Sequence, residues 1–379
     1  MKRLLTLILL FAGLVAAAQN SPKYEQFKEI RDRADTVGMK QMLENWGEED
    51  PEYYSAWANY CQVMFETTEE ADWMSMAVNW VKMGRDEFPD DELLLHKQAE
   101  VLVRNDQYRE ALPVLKEIEE KGLGDASTWY FLQTIYGLKG DLVQGRHYLD
   151  KMVEDGDEDD RAYAQELLAT YDLVEHQADS LALHPDHDAI RSLSKTPAFQ
   201  ELTARFEACD TTLTLQEIAN LYYGSSYLKD YNLVSSSSED IRKMAEEGKT
   251  GEAVAALQEK LKDYPVSLFL LASLFNLTED EDALMTYVWR ARSLLGVIDN
   301  TGRVDDPERP FQVICVNDEY IFLQQVLDMS EFLEQALVEA KVGPLDKMSF
   351  LNEYDLDVTV FFQITPPYWE RLGNLSRNE

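Results

Sequence analysis

The chain has 379 residues, 45% of them hydrophobic, and 71 acidic against 35 basic side chains give a formal net charge of −36. Nucleic-acid binding rests on clustered Lys and Arg, so this balance excludes nucleic acid as a partner and disfavours anionic membranes. Its bland consequence is solubility through like-charge repulsion, and the functional alternative is attraction to cations or basic partners. The length supplies material for two cores.

Lys2 and Arg3 open the chain, Leu4 to Val15 is an apolar run with one Thr, and Ala16-Ala17-Ala18 supplies small residues. That order predicts a secretory signal peptide over residues 1–18, cut before Gln19. An uncleaved anchor is the alternative, but the run is shorter than the ~20 apolar residues that span a bilayer. No Cys follows the cleavage site, which argues against a lipid anchor. Cleavage takes Lys2 and Arg3 away and leaves a formal charge of −38. The mature chain is expected to be periplasmic or secreted, with no stable membrane insertion. Cys61, Cys209 and Cys315 permit one disulfide in an oxidising compartment and leave one thiol over. Their spacings match no metal site, and they read best as small buried hydrophobes.

Tyr24 to Asp35 and Thr36 to Trp46 read as capping helices. A period follows. Leu95 and Trp129 are 34 residues apart, as are Leu102 and Tyr136, Asp106 and Gly140, Ala111 and Gly145, Leu115 and Leu149, and Ile118 and Met152. Each pair shares size or role. Self-similarity at this spacing marks a helix–turn–helix unit that buries its apolar face only by stacking on its neighbours. The pattern resembles the tetratricopeptide repeat. Trp129, Leu132, Tyr136, Gly140 and Gly145 occupy its positions within Asp125 to Asp157. Leu95, Ala99, Leu102, Ala111 and Leu115 do so within Glu92 to Gly122. Trp57, Tyr60, Met64, Ala77, Val81 and Pro89 form an earlier unit, with about four extra residues around Thr67 to Ala71. A related unit is expected at Ala253, Leu257 and Pro265, with a shortened one at Leu271, Leu274, Ala283 and Tyr287.

Asp159 to Leu183 reads as one long helix, and His184-Pro185 breaks it. The expected domains are therefore a repeat domain over 19–183 and an α+β domain over 184–379. In the second, Thr214 with Glu217 three residues later makes a capping box, and Leu213 with Ile218 a hydrophobic staple. Ser235 to Ser238 reads as a polar loop before a capped helix at Asp240, and Gly302 to Pro310 as an acidic loop. Phe311 to Val316, Asp346 to Leu351 and Val358 to Thr365 read as strands, and Asp318 to Met329 as an amphipathic helix. The region from about His184 to Leu372 resembles a family of uncharacterised bacterial exported domains, known only as a domain of unknown function. The resemblance rests on Asp210 to Glu217, Leu221-Tyr222-Tyr223-Gly224, Pro310 to Val316 with Glu319-Tyr320, and Asn352-Glu353-Tyr354. It implies export and a small mixed domain, and brings no activity.

The chain has no phosphate-cradling glycine loop, dinucleotide fingerprint, nucleophile elbow or helical His pair. His184-Pro185-Asp186-His187-Asp188 holds four potential metal ligands but reads better as a solvated linking loop. Asp155, Asp157, Asp159 and Glu166 echo a calcium loop, but Asp160 stands where its glycine belongs. No catalytic, metal or cofactor residue is assigned.

The expected fold is mainly α, a tetratricopeptide-like solenoid followed by a smaller α+β domain with a short sheet near the C-terminus. The expected function is non-catalytic binding of a protein or peptide. Resemblance to the repeat family implies that Ser55, Gln62, His96, Glu100, Tyr130 and Thr134, from the first helix of each unit, face the partner. The rivals are an enzyme with its site near Tyr222 and Tyr223, and a calcium-dependent envelope module.

Overall fold

The structure is a computed structural model that describes residues 20–228 and 238–368. The signal-peptide segment and residues 235–237 of the expected polar loop lie outside them. Two compact units are present. The first runs to Val174 and includes Tyr354–Leu356, and the second takes Glu175–Glu353 and the residues from Asp357 onward.

The first unit contains α1 (Pro22–Arg31), α2 (Thr36–Leu43), α3 (Pro51–Thr68), α4 (Asp72–Glu87), α5 (Glu92–Arg104), α6 (Tyr108–Glu120), α7 (Ala126–Leu138) and α8 (Leu142–Asp155). Most of α9 (Glu158–Leu181) follows. The pairs α3/α4, α5/α6 and α7/α8 are the three repeat units, with α1 and α2 before them. The 34-residue period has a local cause at each of its marks. Asp91 caps α5 through the Leu94 N–H and Asp125 caps α7 through the Thr128 N–H, at 2.9 and 2.8 Å. Asp106 and Gly140 share a role because both turns need a left-handed residue, with φ of 56° and 76°. Ala77, Ala111 and Gly145 are buried at 34-residue intervals on the second helices. A Cβ on Gly145 would press on the Tyr171 ring of α9, which packs over it. Leu95, Leu102, Ala111, Leu115, Ile118, Trp129, Leu149 and Met152 share one core, as the period predicts.

The second unit carries the end of α9, then α10 (His187–Leu193), α11 (Pro197–Glu207), α12 (Leu215–Ser225), α13 (Ser238–Glu246), α14 (Thr250–Asp263), α15 (Leu268–Leu277) and α16 (Glu281–Asp299). The strand β1 (Phe311–Val313), the helix α17 (Val316–Gln325) and the strands β2 (Glu331–Ala340), β3 (Gly343–Leu351) and β4 (Asp357–Ile364) complete it. The sheet order is β1-β4-β3-β2, with β1 parallel to β4 and the other pairs antiparallel. Phe350, Val360 and Phe362 of the sheet share a core with Phe206, Tyr222, Tyr223 and Leu294 of the helices.

Contact within the chain divides inside α9, nine residues before the expected break at His184-Pro185. The last turns of α9 are tied to the second unit. Asp179 pairs with Arg303 and Arg309, and the Leu183 N–H donates to Asn300 O at 2.8 Å. The capping box at Thr214 and Glu217 is formed, and α13 begins at Ser238 rather than Asp240. The expected first strand is shorter than Phe311 to Val316, because α17 begins at Val316 with Cys315 at its N-cap position. The strand β2 was not expected. Its sequence, EFLEQALVEA, is rich in helix formers, and pairing with β3 along its whole length overrides that preference. Among the described residues no helix is long and apolar enough to cross a membrane.

Candidate partner-binding site

In the first unit the first helices are neighbours. The helix α1 touches α3, α3 touches α5, and α5 touches α7. The first helices therefore line one side of the stack. They are held together by a polar ladder as well as by apolar packing. The Tyr24 and Ser55 hydroxyls are bonded at 2.7 Å, and Asn59 Nδ2 donates to Tyr24 Oη at 3.0 Å. Lys97 Nζ donates to Asn59 Oδ1 at 2.9 Å and pairs with Glu100. Gln62 Nε2 donates to Glu100 Oε1 at 3.1 Å, and Arg104 Nε lies 3.3 Å from the same carboxylate.

A buried Lys is tolerated only when its charge is paired and its donors are used, and both conditions hold here. Burial would raise the Glu100 carboxyl, but the charges of Lys97 and Arg104 and the bonds from Lys97 and Gln62 outweigh it and hold the group down at about 2. Burial pushes the Tyr24 phenol up to about 12, against the hydrogen bonds from Ser55 and Asn59, so it stays a neutral donor and acceptor. Tyr24, Asn59 and Lys97 were missed in the sequence. Lys97 had a readable signal, since it shares a helix face with Leu93 and Val101, four residues to either side.

The six residues expected to face a partner do not lie on one surface. Ser55 is fully buried and its hydroxyl is taken by Tyr24. Gln62 is buried and bonded to Glu100. Both are corrected from partner-facing to ladder positions, because α1 and α5 close over the face of α3 that carries them. Glu100 is half-buried and already paired. His96, Tyr130 and Thr134 are half-buried, with Thr134 Oγ1 donating to Tyr130 O at 2.9 Å and the Tyr130 ring 5.9 Å from that of Tyr163.

The rival sites resolve into structural roles. Tyr222 and Tyr223 are wholly buried rather than lining a cleft. Tyr222 Oη donates to Asp318 Oδ2 at 2.7 Å and accepts from the Ile314 N–H at 3.3 Å. Tyr223 Oη donates to Gln312 O at 3.1 Å. Burial lifts the Asp318 carboxyl to about 6 against the bonds from Tyr222 and Cys315. Beside it Glu319 is wholly buried with neither carboxylate oxygen hydrogen-bonded. Burial first, then the nearby Asp346 and Asp318, drives it to about 9, so it holds its proton at neutral pH.

The echo of a calcium loop is likewise spent on other bonds. Asp155 accepts from Trp129 Nε1 at 2.9 Å, and Asp157 caps α9 through the N–H groups of Asp159 and Asp160. Asp186 caps α10, so the stretch read as a solvated loop is a helix start, with the half-buried His187 against Tyr223. Burial pulls the His187 imidazole down, against the Gln312 bond. No cluster of three metal-ligating side chains occurs among the described residues. Cys61 and Cys315 are buried free thiols and Cys209 is half-buried.

Comparison with solved structures finds "MamA 41-end from Desulfovibrio magneticus RS-1", 20% identical over 41% of this chain and 97% of that one, with a TM-score of 0.28. It also finds the "TPR2AB-domain:pHSP90-complex of yeast Sti1", 16% identical over 67% of this chain and 92% of that one, with a TM-score of 0.29. At those scores the fold rests on the helices described above. No curated protein matches the chain. Residues 187–370 match the family described as "Domain of unknown function (DUF4919)", and the second half of the chain carries that domain.

Proposed function

We propose that the chain is an exported, non-catalytic scaffold whose repeat unit holds a protein or peptide partner along its first helices. The observation that carries this is the side-by-side arrangement of α3, α5 and α7 along one side of the stack. A polar ladder fixes their spacing, and half-buried His96, Tyr130 and Thr134 lie on α5 and α7. Such a surface recognises shape plus a few side chains and needs no chemistry of its own. Ser55 and Gln62 set the positions of the helices, and Glu100 joins α5 to α3. Export rests on the pattern of residues 1–18, with the periplasm or release from the cell as the destination.

The test is a pull-down from the native envelope fraction with the full mature chain and with a His96→Glu, Thr134→Arg double variant. Loss of one specific partner with unchanged helicity supports the reading. Equal capture by both chains removes the first-helix face from it. N-terminal sequencing of the exported protein should start at Gln19, and an intact Met1 would refute export by cleavage.

A further inference from the structure

The strand β2 is an edge that the fold leaves open. It is ten residues long, about twice the usual strand, and spans on the order of 30 Å. β3 occupies one side of it. Among the described residues no other segment bonds the backbone of Glu331–Ala340, so every outward N–H and C=O of that side is available. Proteins blunt such edges with Lys, Pro, bulges or a covering element. Here the strand holds no Lys and no Pro, and its one irregularity lies between Phe332 and Glu334. From Glu334 to Ala340 the register is unbroken.

Its side chains are unusual for an exposed edge. Phe332, Leu333 and Leu337 are 38%, 42% and 61% exposed, and Val342 just beyond is 41% exposed. Glu331, Glu334 and Glu339 are interspersed among them and are also exposed. Lys341, the nearest following cation, is paired with Glu308. The edge thus offers main-chain hydrogen bonds, apolar contacts and uncompensated negative charge along one line.

We propose that β2 is a strand-addition site for an extended segment of a partner that carries both basic and apolar residues. The backbone of that segment completes the ladder, its apolar side chains meet Phe332, Leu333 and Leu337, and its basic ones meet the three glutamates. Charge decides against a second copy as occupant, because a second chain brings a further net charge of −36 and the same three glutamates. The site lies in the second unit and is independent of the first-helix surface of the repeats.

The test uses the full chain and a labelled ten-residue peptide of alternating Lys and Val. A control peptide of equal charge carries Pro at two central Val positions, so it keeps the electrostatics and cannot pair as a strand. At about 0.15 M salt, where long-range attraction is screened, the alternating peptide should bind roughly tenfold or more tighter than the control. It should also slow amide exchange over residues 331–340. Leu337→Lys, a change at an exposed position, should weaken it by a similar factor and leave the circular dichroism unchanged. Equal binding of the two peptides, or no protection of β2, overturns the proposal. So does a dimer in sedimentation that Leu337→Lys dissolves, which would make a second copy the occupant.

Discussion

Tyr222 on α12 and Asp318 on α17 form a buried hydroxyl–carboxylate bond of 2.7 Å, and the same hydroxyl accepts the Ile314 N–H. One phenol thus joins a helix, the end of β1 and the start of α17. Tyr222→Phe should leave Asp318 and the Ile314 N–H short of a partner and destabilise the chain by about 1–3 kcal/mol. Urea denaturation of the full chain reads this directly, and an unchanged midpoint would assign the bond no net role.

Glu319 makes the second unit sensitive to alkali. Its folded value of about 9 lies above the ordinary 4.5, so the folded state holds a proton that the unfolded state releases. Stability from this group is whole below about pH 4.5 and is lost as pH rises towards 9, amounting to about 3 kcal/mol by pH 7. Glu319→Gln cannot ionise. Hydrogen exchange over β3 and β4 between pH 7 and 8.5, above the range in which Asp318 titrates and corrected for intrinsic rates, should show a falling stability in the parent chain and a flat one in the variant.

The ladder of the first unit has the opposite sign. Glu100 titrates at about 2 when folded, below its ordinary 4.5, so its contribution is whole above about pH 4.5 and is lost as pH falls through 2. Lys97→Ala leaves Glu100 and Asn59 without their shared partner. It should destabilise by about 3–5 kcal/mol at neutral pH, as for one half of a buried pair removed. Lys97→Met with Glu100→Gln should recover much of that loss, because an apolar stem and a neutral amide leave no charge buried. Thermal melts of the single and double variants decide it.

Trp129 and Tyr136 hold equivalent places in the period with Leu95 and Leu102, but they are not equally buried. Trp129 stacks on Tyr148, bonds Asp155 and is 6% exposed, while Tyr136 is half-buried. Trp129→Ala should cost about 3–5 kcal/mol and Tyr136→Ala clearly less. Equal losses in denaturant titrations would mean that burial is not what distinguishes the two sites.

The repeats were legible because spacing, cap and turn agree at each mark. Asp91 and Asp125 cap, Asp106 and Gly140 turn, and Ala77, Ala111 and Gly145 admit the next helix. Local chemistry writes such features into the sequence. The polar ladder was less legible. Ser55 and Gln62 looked partner-facing because first-helix position alone does not reveal that α1 and α5 close over that face. β2 was hidden for a different reason: Glu331 to Ala340 carries helix-forming residues, and only pairing with β3, the next strand of its hairpin, makes it a strand. Glu319 gave no sequence signal, since a buried carboxyl and an exposed one are spelled alike.

Aspartate begins eight of the described helices, with Asp35, Asp50, Asp91, Asp125, Asp141, Asp157, Asp186 and Asp280 each accepting a first-turn N–H. What those places demand is a short side-chain oxygen, and asparagine supplies one about as well. The architecture therefore dictates where acceptors stand and leaves the sign of the surface free. A sequence redrawn with asparagine at these eight starts would shed eight negative charges and keep the same helices. Its behaviour towards solvent and neighbours would then change separately from its shape.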